Sequence, residues 1–591
     1  GDHSRPGHSA GFIEGYLEMK MQRTGRTSGQ AICAVLLVVL SACGMGRPAR
    51  NDAPYDLILK GGWIIDGSGN PRYRGDVGIQ GDRIMAVGFL RSATARDTLD
   101  VSGLVVAPGF IDMMGQSEIN VLIDNRVLSK ITQGITTEVT GEGGSVAPLT
   151  DKLVLADSDA MKKWHYREDW RDLNGYFTQL EKQGSSLNIA TFVGATQVRL
   201  AVVGDENRDP TAAELAHMTA IVDTLMEQGA LGVWTALEYA PASYSKTDEL
   251  IALAKAARRH GGIYASHMRN EGEQIDDALN ELFRIAKEAD IPAEVSHLKV
   301  SGKKTWGQMP RILARIDSAR AAGLDVTADQ YPYIRAATSL DASIPTWAES
   351  GGMDSLLIRL RDPATRARLH REMQNPTGGE VFYSAAGGGA GILITGTFQD
   401  SLRYMQGKTV AEIAAARHRD QIETVFDIVT AEGGHRTDAV YAIMDEPDVQ
   451  AAMKQWWVSV NTDFGGVAPD GPFGAQSAHP RAYGTFPRIL GHYSRDLKLF
   501  PLEFAVRKMT SLAAQRVGLA DRGLVRPGMY ADITVFNPAT VIDRATFEQP
   551  HQTSVGIEYV LVNGKTVIRK GQLTSERPGR GLRGPGYRGS R

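Results

Sequence analysis

The sequence predicts an α/β protein in which eight strand–helix units close a barrel, flanked by a small β-sandwich built from both chain ends. Three observations predict it. Short apolar, β-branched runs recur through the middle of the chain, most of them followed by a stretch of helical periodicity, as expected of buried parallel strands joined by crossover helices. Two of these runs, GGIYASH ending at His267 and IPAEVSH ending at His297, close on a histidine at matching places in consecutive units. Alternating, turn-rich stretches share one texture at residues 54–104 and 519–580, so two half-sheets can pair across the ends of the chain.

At 591 residues, 42% hydrophobic and 23% charged, the chain has the composition of a globular enzyme with room for a large core. Lys and Arg number 65 against 68 Asp and Glu, for a formal charge of -3; without a basic stripe, nucleic acid is not an expected partner. From Met21 the chain carries Arg23 and Arg26, then the apolar run AICAVLLVVL, then LSACG. That is a charged n-region and an h-region too short to span a bilayer as a mature helix. Leu40, Ser41, Ala42 and Cys43 resemble a bacterial lipobox, which implies an upstream extension and signal peptide over residues 1–42. It also implies a lipid anchor at Cys43 and a place in the cell envelope, on the periplasmic face or in the outer membrane. A simple secretory signal is the alternative. Cys33 and Cys43 are the only cysteines, so the mature chain offers neither a disulfide nor a thiol ligand.

The strand candidates after the first half-sheet are LVVAPGFIDMM to 114, ITTEVTGE to 142, LNIATFVGAT to 196, ALGVWTAL to 237, GGIYASH to 267, IPAEVSH to 297, LDVTADQ to 330 and WWVSVNTD to 463. Between the two histidine strands, Ile275, Leu279, Leu282, Ile285 and Ala286 recur at helical spacing. Thr211 with Glu214 predicts a capping box, and MPRILARIDSARAAG predicts a helix closed by glycine. Eight such units argue for a TIM barrel over residues 105–518, with an insertion at about 340–450. A doubly wound open sheet is the competing fold, and the glycine fingerprint such sheets often carry is absent.

A barrel places its chemistry at the C-terminal ends of its strands. Those ends carry Glu142, His267, His297 and Asp463. Two neutral imidazoles and a carboxylate make a catalytic zinc set that leaves a position for water, whose pKa zinc lowers to about 7. Asp463 then suits proton transfer between the attacking water and a leaving nitrogen.

PGFID at 108–112, YASHMRNE, SHLKVSG, DQYPY, VNTD with HPRAYGTF, and GLVRPGMYADITVF together resemble the amidohydrolase superfamily, in its N-acyl-D-amino-acid deacylase (D-aminoacylase) branch. The resemblance spans about residues 54–580. It implies a barrel with a flanking sandwich, one tightly bound zinc ion, and hydrolysis of an N-acyl amide beside a free carboxylate. It further implies that His267 and His297 are zinc ligands, that Asp463 is the acid–base group, and that Lys299, Tyr331 and Arg481 hold the substrate's carboxylate, with Tyr333 as the other candidate reader. A guanidinium fork and an ammonium suit that task.

Two departures stand out. Where the superfamily usually has a His-x-His pair after PGFID, this chain has Met114 and Gln116, which implies that the second metal site is absent. Where the branch has a cysteine ligand in a Gly-Asn-Cys-Gly turn, this chain reads GEGGS; Gly143 falls at the thiol's place and Glu142, one residue away, is the expected third ligand. The expected function is zinc-dependent hydrolysis of N-acyl amino acids or small peptides. A cyclic-amide hydrolase or peptidase on the same scaffold is one alternative, and a metal-free envelope binding protein is another. His165, His435 and His479 are placed near the mouth without an assigned role.

Overall fold

The computed structural model describes residues 55–376 and 378–589; the signal segment, Cys33 and Cys43 lie outside the described residues. The chain enters through β1 (Tyr55–Ile64), β2 (Tyr73–Gln80) and β3 (Arg83–Gly88), an antiparallel meander. Ten residues make β1 long enough for two partners on its other edge: β4 (Ala95–Asp100) and β5 (Val105–Pro108) both run parallel to it, one after the other.

Then come the strands that position the site. β6 (Phe110–Asp112), β7 (Ile135–Thr140) and β8 (Asn188–Thr191) form one parallel arc. β9 (Val193–Gly194), β10 (Gly232–Ala236), β11 (Ile263–His267), β12 (Ala293–Val295) and β13 (Val326–Gln330) form a second, also parallel throughout. Only Phe192 separates β8 from β9, and Leu231 N–H donates to Thr191 O at 3.0 Å across the junction. Parallel neighbours require crossovers, here α1 (Ala212–Glu227), α2 (Thr247–Arg259), α3 (Ile275–Glu288) and α4 (Met309–Ala321). The Thr211–Glu214 capping box forms at the start of α1. In α3, Ile275, Leu279, Leu282, Ile285 and Ala286 are buried as their spacing requires. Gly323, at φ +97°, follows the end of α4.

After β13 the chain leaves for an antiparallel three-stranded sheet, β14 (Ala336–Ser339), β15 (Ile392–Gly396) and β16 (Asp438–Tyr441), with β16 in the middle. It returns through β17 (Val458–Val460), parallel to β13. At its far edge β17 meets the first arc: Met113 N–H donates to Val460 O at 3.1 Å, and Gly115 bridges Phe464 in parallel. Ile111, Val139, Ala190, Trp234 and Ala265 share one buried cluster beneath the rim, which draws on five strands and ties both arcs to a common core.

The last strands, β18 (Ile533–Phe536), β19 (Ile557–Val562), β20 (Lys565–Arg569) and β21 (Gln572–Leu573), pair antiparallel in sequence. The two chain ends meet as the sequence suggests, through β5 and β18. Nine strands join into one hydrogen-bonded sheet, and residues from both chain ends, among them Leu59, Val77, Ile533 and Leu561, share one buried cluster. The link is β5, which pairs with β1 on one edge and β18 on the other.

Candidate metal centre

Glu142 comes two residues after β7 ends, His267 closes β11, and His297 comes two residues after β12. Their side chains converge. Glu142 Oε1 lies 3.0 Å from His267 Nδ1 and 3.3 Å from His297 Nε2, and those two nitrogens are 3.0 Å apart. Backbone geometry enforces the aim. His297 sits at φ +33°, a strained conformation for a β-branched-free but bulky L residue, held by donation of its N–H to Asp329 Oδ1 at 2.6 Å. Gly143, at φ +66°, has no room for a side chain, since a Cβ there would lie 2.6 Å from the Ala236 Cβ. A ligand in this turn therefore comes from position 142.

Behind the three stands a second layer. His267 Nε2 lies 2.8 Å from Glu238 Oε2, and Tyr239 packs edge-on to the His267 ring at 5.0 Å. His297 Nδ1 lies 2.7 Å from Lys299 Nζ and 3.1 Å from Glu271 Oε1, while Lys299 donates to Glu271 Oε2 at 2.5 Å. Burial opposes the charge of Glu142, but hydrogen bonds from both histidines hold its carboxyl well below the usual range. Burial likewise opposes the Glu271 charge, and Lys299 with the imidazoles brings it down to about 2. Glu238 goes the other way, raised to about 8 by burial and by repulsion from Glu271. Neighbouring carboxylates pushed in opposite directions mark a site built around charge.

Three lone-pair atoms aimed at one point fit a cation better than they fit one another, because a proton can bridge only two of them. Two imidazole nitrogens and one carboxylate oxygen are also a donor set zinc takes. Glu238, His267 and Glu271 form an overlapping cluster around the other nitrogen of the same imidazole; with Glu271 already committed to Lys299, it serves better to orient His267.

Asp463 follows β17 at φ +47°, its N–H given to Met114 O at 2.8 Å. Its Oδ2 lies 2.7 Å from an Arg481 guanidinium nitrogen, and its Oδ1 accepts from Gln116 Nε2 at 3.1 Å. Burial raises the Asp463 pKa against the pull of Arg481. Gln116 Nε2 also reaches Glu142 Oε2 at 3.3 Å, so one amide bridges both carboxylates. Arg481 opens α5 (Arg481–Arg488) and is 1% exposed. His479 fixes that helix start: its Nδ1 accepts the Arg481 N–H at 3.0 Å and its Nε2 lies 3.0 Å from Arg335 O. That pattern defines a neutral imidazole, and burial together with Arg481 holds its pKa well below the ordinary value.

A cavity of about 440 Å³ opens over these groups and is lined by Glu142, His267, His297, Lys299, Asp463 and Arg481. Tyr331 does not line it. The ring lies fully buried with the Arg481 guanidinium 4.6 Å from its centre, and its hydroxyl points to Met444 Sδ at 3.5 Å. The charges of Lys299, Arg481 and Asp463 all act on this phenol, so it stands near the groups that the resemblance assigns to the substrate carboxylate. The Tyr333 hydroxyl is engaged on the other side, 3.4 Å from Pro480 O and from Asp543 Oδ2. Sequence reasoning missed Glu238 and Tyr239. Glu238 comes two residues after β10, just as Glu142 does after β7, so the strand-end rule that found one contained the other.

Comparison with known proteins agrees with this geometry. Residues 97–568 match the sequence profile described as "Amidohydrolase family". D-aminoacylase of Alcaligenes xylosoxydans xylosoxydans is 39% identical over 532 residues, covering 90% of this chain and 98% of the relative. N-acyl-D-glutamate deacylase of the same organism is 36% identical, covering 89% and 96%. Among solved structures, D-aminoacylase superposes with a TM-score of 0.74 at 38% identity, covering 90% of this chain and 100% of that one. N-acyl-D-glutamate deacylase from Bordetella bronchiseptica, complexed with zinc and a phosphonate inhibitor that mimics the tetrahedral intermediate, superposes with a TM-score of 0.75 at 33% identity and the same coverage. A binuclear metal centre is described for D-aminoacylase. The chain belongs to the amidohydrolase family, in the branch of D-aminoacylase and N-acyl-D-glutamate deacylase, hydrolases of carbon–nitrogen bonds other than peptide bonds.

Proposed function

We propose that the protein is a metal-dependent deacylase of N-acyl-D-amino acids, with one zinc ion held by Glu142, His267 and His297. The observation that carries this reading is the convergence of those three donor atoms beside the Asp463–Arg481 pair in one cavity. The strand links between β8 and β10 and between β17 and β6 support a closed (β/α)8 barrel, which would put all of these groups on one rim. When bound, zinc supplies a water ionised near neutral pH and polarises the acyl carbonyl.

The chain's own groups do the rest. Arg481 keeps Asp463 Oδ2, which leaves Oδ1, positioned by Gln116 Nε2, to hold the proton lost by the attacking water. The carbonyl carbon gains the hydroxyl, the carbon–nitrogen bond breaks, and the proton passes from Oδ1 to the leaving amine. Arg481 and Lys299 give this end of the cavity the positive charge a substrate carboxylate needs, while Glu238 and Glu271 orient the two imidazoles. The signal segment supports a mature protein anchored to the envelope by lipid at Cys43, which labelling with a fatty acid would test against Cys43→Ser. The function itself is tested on the purified chain from residue 44 with N-acetyl-D-leucine and its L enantiomer. Hydrolysis of the D form that is abolished by chelator and restored by zinc is expected; no hydrolysis of either by zinc-loaded, folded protein would overturn the reading.

A further inference from the structure

The charged lining of the cavity is committed almost throughout. Glu142 faces the two histidines, Glu271 holds Lys299, and Asp463 holds Arg481. His551 has both ring nitrogens engaged, Nδ1 with the Tyr483 hydroxyl at 3.0 Å and Nε2 with the Gln476 carbonyl. Asp438 is the exception. It lines the cavity from the first position of β16, exposed, and among the described residues its carboxylate makes neither an ion pair nor a hydrogen bond.

The local fold makes room for it. Asp438 pairs across the sheet with Ser339 on one side and Gly396 on the other, and a Cβ at Gly396 would collide with its Oδ2. The nearest basic residue in sequence, Arg436, is taken by Asp341 and Glu349. Glu432 adds a second negative charge in the neighbourhood of Asp438, so this is a place where added positive charge is welcome. A carboxylate that the protein itself does not neutralise, standing on the wall of a substrate-sized cavity, is an electrostatic selector.

We infer that Asp438 receives an ammonium or guanidinium carried by the substrate, so that the enzyme selects N-acyl-D-amino acids bearing a basic group. The inference rests on the deacylase reading above and adds the substrate class. The cation can come from the amino-acid side chain or from the acyl arm, and matched substrates separate the two: N-acetyl-D-lysine against N-acetyl-D-norleucine, and N-(aminohexanoyl)-D-leucine against N-hexanoyl-D-leucine. Each pair is assayed with zinc-loaded wild type and Asp438→Asn, with metal content checking that both are folded. One basic substrate should exceed its neutral partner in kcat/KM by about tenfold, the effect of one partly solvated ion pair, and that ratio should fall to near unity in Asp438→Asn. Ratios near unity in the wild type, or a preference that survives the substitution, would overturn the inference while leaving deacylation standing. Failure to cleave all four substrates would overturn the deacylase reading and this inference with it.

Discussion

The two sides of the site rim are built on opposite principles. The ends of β7, β11 and β12 bring Glu142, His267 and His297 to one point with no protein cation between them. The end of β6 brings a buried Met114 and the neutral amide of Gln116, and its carboxylates are already neutralised: Lys130 Nζ lies 2.8 Å from Asp112 Oδ2 and 3.5 Å from Glu138 Oε1, and donates to Thr462 Oγ1 and Phe464 O, both at 2.6 Å. Burial opposes the charge on Lys130, yet the two carboxylates hold its pKa above the ordinary value. One side of the rim gathers donor atoms around a point without a protein cation and the other holds its carboxylates to Lys130, a contrast that supports the proposal of one metal ion.

The largest effect should come from the side that needs the cation. Glu142→Ala or His297→Ala is expected to lose the metal and more than about ten-thousandfold in kcat/KM, because the polarising charge goes with it; metal analysis and kinetics on the same preparation check this. Asp463→Asn keeps all three metal ligands, so it should lower kcat by about a hundred- to a thousandfold with metal content unchanged. Loss of metal in that variant would break the division between ligands and proton carrier. Glu238→Gln acts only through His267 and should weaken metal affinity by about ten- to a hundredfold, read by competition with a chelator of known affinity.

Lys508 sharpens the contrast with Lys130 at the smallest scale. It is equally buried but meets only carbonyls, those of Gln455 and Val458, and burial with the neighbouring Arg507 lowers its pKa from 10.5 to about 7. The unfolded chain therefore binds more protons than the folded one between those values, and stability should rise with pH from about 7 to 10.5. The thermal midpoint of the wild type should climb across that window, and Lys508→Met should flatten the climb. An equal climb in the variant would assign it to other groups.

Much of the strand order was legible because the strands are short apolar runs with polar residues at or just after their ends, as at His267 and His297. The chemistry of those ends was legible for the same reason: an imidazole closing a buried strand must find a partner at the rim. What escaped depends on contacts far apart in sequence. Arg481 read as a carboxylate receptor, and its pairing with Asp463, 18 residues earlier, is set only where the chain folds back. The packing of Tyr331 against the Arg481 guanidinium likewise joins residues 150 apart in sequence. The joining of the chain ends into one sheet depends on both edges of β5, which alternation alone does not specify. Asp438 gave no signal at all, since an unpaired carboxylate is recognised only when every possible partner has been placed.

The measurement that bears most directly on this account is metal stoichiometry, by plasma mass spectrometry, of the chain from residue 44 after loading with zinc and removal of excess. It is made for the wild type, Glu142→Ala and Lys130→Met. About one ion per chain is expected in the wild type and almost none in Glu142→Ala, with hydrolysis tracking the bound ion. A wild type that holds about two ions would contradict the proposal of a single ion, and a Glu142→Ala variant that keeps its zinc would contradict the ligand set itself.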